Sequence, residues 1–276
     1  ELLSLMHAAR FDKVFIGIET PSVECNRAAG KMQNVKADLL ECVKRIQESG
    51  MEVMGGVIVG FDQDTPDTFQ RQIDFIREAA IPVSMVGLLT ALPNTQLWRR
   101  LAAEGRLHAN SDRVQGVTVA DQCTSGLNFD TIRPRQDMID DYRTVLRRIY
   151  EPRAFFDRAA RVTRLLDVSG HRVNRPLRAV LRDLRSFARI TWRTGVLDRR
   201  GRASYWRAVG DCLLHNPRAA RIMVSFAALY LHFGPYSRFL DARMAAEIEG
   251  VAVTSHPQLR TAGSLGAVKG PLPANG

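Results

Sequence analysis

The sequence has few cysteines and no spacing of cysteines or histidines that is typical of a metal site. Its 276 residues include four cysteines and six histidines. No CxxC pair occurs, and the histidines show no HxxxH or HxH spacing. Zinc sites and disulfide frameworks depend on such groupings. We therefore expect reduced thiols and no metal site built by these residues alone.

Long apolar runs and a secretory signal are also missing from the sequence given. The most apolar segment, 222–233, is a dozen residues long, or about 18 Å of helix against a hydrocarbon core of about 30 Å. We expect a buried helix there, or alternatively an interfacial one. No basic stretch leads into an apolar run at the start, as a signal peptide requires. Because the chain opens at Glu1 in helix-like residues, we expect a fragment of a longer polypeptide.

Acidic residues are scarce in the second half of the chain. Residues 1–150 carry 18 Lys and Arg against 20 Asp and Glu, whereas residues 151–276 carry 21 against 9. The whole net charge of +10 therefore comes from the second half. Such asymmetry is typical of a protein that meets a polyanion or an anionic membrane surface.

Three short apolar segments, each followed by a helical pattern, predict strands of an α/β fold. They cover residues 14–19, about 53–60 and 84–89. Helices are predicted at 35–50, from about 66 to 80, and from about 95 to 105, with Pro66 at a helix start. Three βα units in a row imply a parallel sheet. Since three strands are too few for a closed barrel, we expect further strands before residue 1.

Beyond about residue 106 the sequence predicts a loop and then helices only. The predicted helices cover 137–150, 152–166, 176–193, 205–214, 219–233 and 236–249. The last residues are rich in Gly, Pro, Ser and Ala, which is typical of a disordered tail. We therefore predict an α/β part at 1–105, an all-helical part at 106–250 and a tail at 251–276.

Each of the three predicted strands ends in a motif: GIET at 17–20, GVIVGFD at 56–62 and LTALPNT at 89–95. Together, in this order, they resemble the last three strands of the radical S-adenosylmethionine enzymes. Within that superfamily the chain resembles the class with an N-terminal cobalamin-binding domain. Segments 127–129, 142–152 and 205–207 are similar to its helical C-terminal domain, so the resemblance covers roughly residues 1–235. It implies the C-terminal half of a partial parallel β/α barrel followed by a helical extension.

The resemblance implies a set of cofactor contacts at the strand ends. Glu19, with Thr20 beside it, would meet the ribose or the methionine part of S-adenosylmethionine. Gly56, Ile58 and Gly60 would pack against adenine. The alternatives are a Glu19 that caps a loop or pairs with an arginine, and glycines that serve packing alone.

Further contacts follow from the later motifs. Asp62 is a weaker candidate for the cofactor, since residues 62–67 also suit a solvated loop and a helix cap. Thr90 and Pro93 would line the adenine pocket. Asn128 and Phe129 would lie on the substrate side if that segment folds over the barrel.

One departure from the family limits what the chain can do. Radical S-adenosylmethionine enzymes hold a 4Fe–4S cluster through three cysteines in a CxxxCxxC loop, and thiolates suit such iron. No three cysteines here have that spacing. Either the ligands lie outside this chain, or the protein is an inactive remnant. The resemblance implies S-adenosylmethionine and the cluster as cofactors, with cobalamin in methylating members that act on a lipid or another small molecule.

An arginine-rich segment follows in the helical part. Its members recur three or four residues apart and favour one helical face: Arg172, Arg175, Arg178, Arg182, Arg185, Arg189 and Arg193. Such a helix could lie on an anionic membrane or bind phosphates; the alternative is the solvated face of a packed helix. Aromatic residues are not interleaved with the basic ones, so we rank nucleic acid below membrane. We expect a cytoplasmic protein, at the inner face of the membrane where this helix binds it, and a non-catalytic scaffold is the competing hypothesis.

Overall fold

The computed structural model describes residues 1–28, 30–36, 38–108, 126–168 and 177–248. The fold is mixed α/β and mostly helical. Its first part contains, in chain order, α1 (Leu2–Ala8), β1 (Lys13–Glu19), α2 (Val23–Ala28), α3 (Met32–Lys36), α4 (Leu39–Glu48), β2 (Glu52–Val59), α5 (Pro66–Glu78), β3 (Val83–Leu88) and α6 (Gln96–Ala103). The second part contains α7 (Arg135–Ile149), α8 (Pro152–Leu165), α9 (Leu177–Trp192), α10 (Arg202–His215) and α11 (Ala220–Ile248).

The three strands form one parallel sheet in the order β1-β2-β3. Gly17 pairs with Gly56, which pairs with Met85 on the other side. The parallel sheet predicted from the three βα units is thereby confirmed, with each strand starting and ending within one residue of expectation. Consequently the carboxyl ends of all three strands meet at one edge of the sheet.

The two faces of the sheet differ in burial. One face is covered by helices and buries Ile18, Val57 and Val86. On the other face Phe15 is 58% exposed and Met85 is 53% exposed. Within the described part of the chain, β1 and β3 each pair with β2 alone. The sheet is thus open on one face, although apolar strands of this kind usually have both faces covered.

Helix α7 covers the outer edge of β3 and joins the sheet to the helical part. The hydroxyl of Tyr150 donates to the carbonyl of Ser84 at 2.7 Å, and that of Tyr142 donates to Val86 at 3.4 Å. Both tyrosines are buried. Tyr150 also stacks on Phe233 of α11, with ring centroids 5.6 Å apart. One continuous core therefore links the sheet to the helices.

One helix prediction was wrong. The two helices predicted at 219–233 and 236–249 are a single helix, α11, with Pro235 inside it. Proline in a helix interior costs about 3 kcal/mol because it removes a backbone hydrogen bond. Burial of Tyr230 on one side of Pro235, and of Leu240 and Met244 on the other, offsets that cost.

Other helix bounds also differ from prediction. The helix predicted at 35–50 begins at Leu39, because the side chain of Asp38 caps it by accepting from the amides of Leu40 and Glu41. The helix predicted at 176–193 ends at Trp192 and continues as a short π-helix, Arg193–Leu197. The tail predicted at 251–276 and much of the predicted loop lie outside the described residues. The division of the chain at residue 105 stays a prediction.

Candidate functional site at the carboxyl ends of the strands

Glu19 ends β1 in a strained backbone conformation. Its φ is +61°, a region that residues other than glycine rarely adopt. The register of β1 against β2 shifts between Gly17 and Glu19, and such bulges redirect side chains, often beside functional sites. The carboxylate of Glu19 lies 3.2 Å from the Nζ of Lys31. One alternative predicted for Glu19 was an ion pair with an arginine. The structure has an ion pair, but its cation is Lys31.

Two short helices hold this strand end in place. The side-chain amide of Asn34 donates to the carbonyls of Gly17 and Ile18, at 3.3 and 3.1 Å. The side-chain amide of Asn26 donates to the carbonyl of Thr20 at 2.7 Å. Thr20 itself is fully buried, and its hydroxyl accepts from the amide of Ser22. The polar stretch after β1 therefore builds a support for Glu19 and Lys31.

The end of β2 turns around a buried carboxylate that sequence reasoning treated as part of a solvated loop. Asp64 accepts from the amides of Gly60 and Phe61 at 2.8 and 2.9 Å. Burial raises the pKa of this carboxyl above its ordinary value, although the two amides act against that rise. The thiol of Cys25 lies 3.5 Å from the same carboxylate, and burial raises its pKa to about 11. Asp64 therefore fixes the turn, and Cys25 packs beside it as a buried thiol.

Asp62 is held by two arginines. It accepts from Arg106 at 2.6 and 3.1 Å and from Arg100 at 2.8 Å, and its side chain is 7% exposed. Burial alone would raise the pKa of Asp62, but the hydrogen bonds and charges of Arg106 and Arg100 outweigh it and lower the pKa. Asp62 is thus a half-buried carboxylate held in ion pairs rather than a member of a solvated loop.

The end of β3 is closed by a later segment of the chain. The side chain of Asn128 accepts from the amide of Ala91 at 2.8 Å and donates to its carbonyl at 2.9 Å. Phe129 is buried, below the guanidinium of Arg106. Thr90 is also buried, and its hydroxyl donates to Leu88. The segment therefore folds over the strand end, while the substrate role of Asn128 and Phe129 stays a prediction.

A cavity of about 460 Å³ lies at this edge of the sheet, within the range usual for small-molecule sites. Three residues predicted as cofactor contacts line it, namely Glu19, Ile58 and Asp62. Its other lining residues are Lys31, Phe61, Gln63, Leu89, Gln96, Leu97 and Arg100. Sequence reasoning missed these, because residues from a loop, a strand end and α6 meet only in the fold.

The remaining predicted contacts are not among the residues that line this cavity. Thr20, Gly60 and Thr90 are buried in the protein, and Pro93 is half-buried in the turn before α6. Gly56 lies on the open face of the sheet, where a Cβ atom would come within 2.8 Å of the Phe15 ring. Their cofactor roles stay predictions.

The cavity combines charges of both signs with an apolar wall. Glu19 and Asp62 supply carboxylates, Lys31 and Arg100 supply cations, and Ile58, Leu89 and Leu97 supply aliphatic surface. This set can bind a small molecule that combines hydroxyl, ammonium or carboxylate groups with an apolar group. In the part of the chain that the structure describes, no cluster of three His, Cys, Asp or Glu side chains could hold a metal ion.

Comparison with known families identifies the family of the chain. A family model described as a domain of unknown function (DUF4070) matches residues 95–246, which is more than half of the sequence. The chain belongs to this family. The match begins at Thr95, the cap of α6, and covers nearly all of the helical part.

Two curated relatives match more of the chain than the family model does. The chain is 32% identical over 248 residues to a protein of Synechocystis named uncharacterized methyltransferase sll1242, covering 90% of this chain and 45% of the relative. It is 32% identical over 239 residues to the hopanoid C-2 methylase of Rhodopseudomonas palustris, covering 84% and 42%. The chain thus spans less than half the length of either relative.

Proposed function

We propose that this chain is the C-terminal portion of a radical S-adenosylmethionine methyltransferase that acts on a lipid. Here the three strands are the last strands of a partial parallel β/α barrel, and the cavity at their ends holds S-adenosylmethionine. The observation that carries the proposal is that Glu19, Ile58 and Asp62 line one cavity. The names of the two relatives, one of them a methylase of hopanoids, support methyl transfer and a lipid substrate.

The side chains of the cavity fit the chemistry of S-adenosylmethionine. Adenine is flat and would lie against the aliphatic wall of Ile58, Leu89 and Leu97. A carboxylate such as Glu19 accepts hydrogen bonds from ribose hydroxyls or from an ammonium group. Lys31 offers a cation for the carboxylate of the ligand. Asp62 is already held by Arg100 and Arg106, so Glu19 is the principal acceptor in this proposal.

In this proposal the chain itself binds and orients S-adenosylmethionine and excludes water from the cavity. The bulge fixes the direction of the Glu19 carboxylate before any ligand arrives, and preorganised groups lose less free energy on binding. The apolar wall displaces water from the ligand's flat group. S-adenosylmethionine and the cluster supply the radical chemistry when bound, and cobalamin supplies the methyl group in members that use it.

The cysteines that the structure describes do not fit a 4Fe–4S cluster. Cys25, Cys42 and Cys212 lie in α2, α4 and α10, and Cys25 and Cys212 are buried. Burial also raises the pKa of the Cys212 thiol, which disfavours the thiolate that iron requires. The proposal therefore assigns the cluster ligands to a part of the enzyme outside this chain, and it assigns no described residue to cobalamin.

Binding of S-adenosylmethionine to the full-length protein tests the proposal. We expect Glu19→Gln to raise the dissociation constant at least tenfold in calorimetric titration, because a charged acceptor is lost. The matched control, Glu48→Gln, changes an exposed carboxylate of α4 and should leave the constant unchanged. Equal affinity of the Glu19→Gln variant and the wild type would reject the site. A full-length sequence without CxxxCxxC would reject radical catalysis and leave the inactive remnant.

We further propose that α9 rests on an anionic lipid bilayer, as a lipid substrate would favour. Leu181, Leu184 and Phe187 of this helix are 56%, 60% and 43% exposed. Arg178, Arg182, Arg185 and Arg189 are exposed on the same helix. A packed helix with a solvated charged face would bury its apolar residues, whereas α9 exposes apolar residues together with its arginines. Exposed apolar and basic groups together complement the interface of an anionic membrane.

Exposed tryptophans extend this surface, and the membrane contact is peripheral. Trp192 ends α9, and Trp206 of α10 is half-exposed beside the π-helix. Tryptophan is enriched at membrane interfaces. Among the described helices, none is both long enough and apolar enough to cross a bilayer.

Vesicle flotation distinguishes this surface from the scaffold alternative. We expect binding to vesicles that contain phosphatidylglycerol and little binding to phosphatidylcholine alone. Leu184→Glu should abolish the binding, whereas Ile132→Glu changes an equally exposed residue outside this surface and should not. Equal flotation of both variants would reject the surface. Binding without any methyl transfer by the full-length protein would favour the scaffold.

A further inference from the structure

A second cavity lies near the opposite edge of the sheet, where no function has been assigned. Its volume is about 560 Å³, and it is bounded by the end of α5, the end of α7 and the first turns of α8. The residues that line it are Ile73, Arg77, Arg148, Glu151, Arg153, Ala154, Asp157, Arg158 and Arg161. Five of these are arginines, and their like charges repel one another.

The two carboxylates in the cavity do not balance its arginines. Glu151 caps α8 by accepting from the amide of Ala154 at 2.9 Å. Asp157 pairs with Arg207 and lies 3.9 Å from Arg153. Within the described residues, no carboxylate oxygen lies within 4 Å of the guanidinium groups of Arg148, Arg158 and Arg161. The cavity therefore has an excess of three positive charges.

Arg158 is the buried member of this set. It is 2% exposed, and it donates to the carbonyls of Ile81 at 2.8 Å, of Pro82 at 3.4 Å and of Ile149. Burial lowers the pKa of this guanidinium to about 10. The charge of Arg158 is met by these carbonyl dipoles and, at longer range, by Asp157 and Glu151, and an anion close to the guanidinium would stabilise the buried charge further.

The surrounding arginines lie in the wall and at the rim of the cavity. Arg161 donates to the backbone carbonyls of Arg77 and Glu78, which fixes the α8 side of the wall. Arg148 and Arg153 are exposed at the rim. Planar guanidinium groups bind phosphate oxygens through charge-assisted, often bidentate hydrogen bonds.

We propose that this cavity binds a phosphate-bearing ligand, with the phosphate held by Arg148, Arg153 and Arg158 and the rest of the ligand against Ile73 and Ala154. The volume accommodates a phosphate with an organic substituent of moderate size. The phosphate belongs either to a free phosphate ester or to a lipid headgroup. This site is separate from the strand-end cavity and does not depend on the function proposed for it.

Calorimetric titration of the full-length protein with pyrophosphate tests this site. We expect saturable binding, and at least a tenfold loss of affinity in the double variant Arg148→Gln, Arg153→Gln. Both side chains are exposed, so the variant should fold. The control Arg71→Gln changes an exposed arginine of α5 outside the cavity and should bind as the wild type does. Absence of saturable binding, or an equal loss in the control, would overturn the proposal.

A competition arm separates the two sources of the phosphate. Vesicles that contain phosphatidic acid should displace pyrophosphate from the wild type if the ligand is a lipid headgroup. If pyrophosphate stays bound in their presence, the ligand is a free phosphate ester. Pyrophosphate binding should also survive Leu184→Glu, since α9 does not line the cavity. Loss of pyrophosphate binding in the Leu184→Glu variant would overturn the assignment of the phosphate site to this cavity.

Discussion

The carboxylate of Glu19 lies 3.2 Å from the ammonium group of Lys31, across the polar stretch that follows β1. Both residues line the strand-end cavity. Glu19 reaches this position only because its backbone adopts a φ of +61°, which costs about 1 to 2 kcal/mol relative to glycine. Strain of this kind is concentrated at functional sites. The pair is therefore the most specific local support for a ligand site at this edge of the sheet.

The strain at Glu19 can be measured by comparing two substitutions. Glu19→Gly and Glu19→Ala remove the same carboxylate, but only alanine retains the left-handed penalty. We expect the glycine variant to be more stable than the alanine variant by about 1 kcal/mol in urea unfolding. Both should lose S-adenosylmethionine binding to the same extent. Equal stability of the two variants would contradict a strained Glu19.

The ion pairs of Asp62 predict a dependence of stability on pH. Because the folded-state pKa of Asp62 is lowered, its contribution to stability is present above the unfolded value of about 3.9 and is lost as the pH falls through the folded value. We expect Asp62→Asn to cost about 2 kcal/mol at pH 7 and less as the pH falls below about 4. Asp74→Asn breaks an exposed pair with Arg77 and should cost little at any pH. A constant difference between wild type and Asp62→Asn from pH 7 to pH 2 would count against the ion pairs.

The two hydrogen bonds between Asn128 and Ala91 predict a specific pattern of destabilisation. Asn128→Ala leaves the amide and carbonyl of Ala91 without their partner, at a cost of about 2 kcal/mol. Asn128→Asp keeps an acceptor for the amide but sets a carboxylate against the Ala91 carbonyl. We expect this variant to be destabilised at pH 7 and partly restored near pH 3, where its protonated oxygen can donate. Denaturant unfolding at both pH values tests this, and the same loss at both would argue against the arrangement.

The turn after β2 requires glycine at position 60. Gly60 has a φ of +123°, and an added Cβ atom would lie 2.5 Å from a methyl group of Leu127. Gly105 has a φ of +67° with no atom within 4 Å of its Cβ position, so it shares the backbone strain without the clash. We expect Gly60→Ala to cost more than 2 kcal/mol and Gly105→Ala about 1 kcal/mol. Thermal unfolding of both variants checks the comparison, and similar costs would refute the close contact.

The meeting of Glu19, Ile58 and Asp62 at one cavity could be predicted, because parallel strands bring distant residues to one edge. Glu19 and Asp62 are 43 positions apart in the sequence. Each stands at or just after the end of an apolar run that forms a strand. Since carboxyl ends of parallel strands meet, their proximity in the cavity follows from the strand pattern. The family resemblance added the expectation that a nucleotide-like cofactor would lie between them.

The partners of these carboxylates could not be predicted. Lys31 comes from a polar stretch with no strong periodicity, and Arg106 approaches Asp62 from 44 residues away. Neither pairing has a local signal, since both depend on how loops return over the sheet. Pro235 shows the opposite failure, because a strong local signal for a break was overridden by burial on both sides of it.

The length of α11 has a structural consequence. Its 29 residues form a rod of about 43 Å, which packs against α9 near its start and is tied to α7 farther on, where Asp241 pairs with Arg143 at 2.8 Å. Helix α7 in turn holds β3 through Tyr142 and Tyr150. Helix α11 thus connects α9, through α7, to the sheet, and Pro235, which cannot donate a backbone hydrogen bond, lies between its contacts with α9 and the ion pair of Asp241.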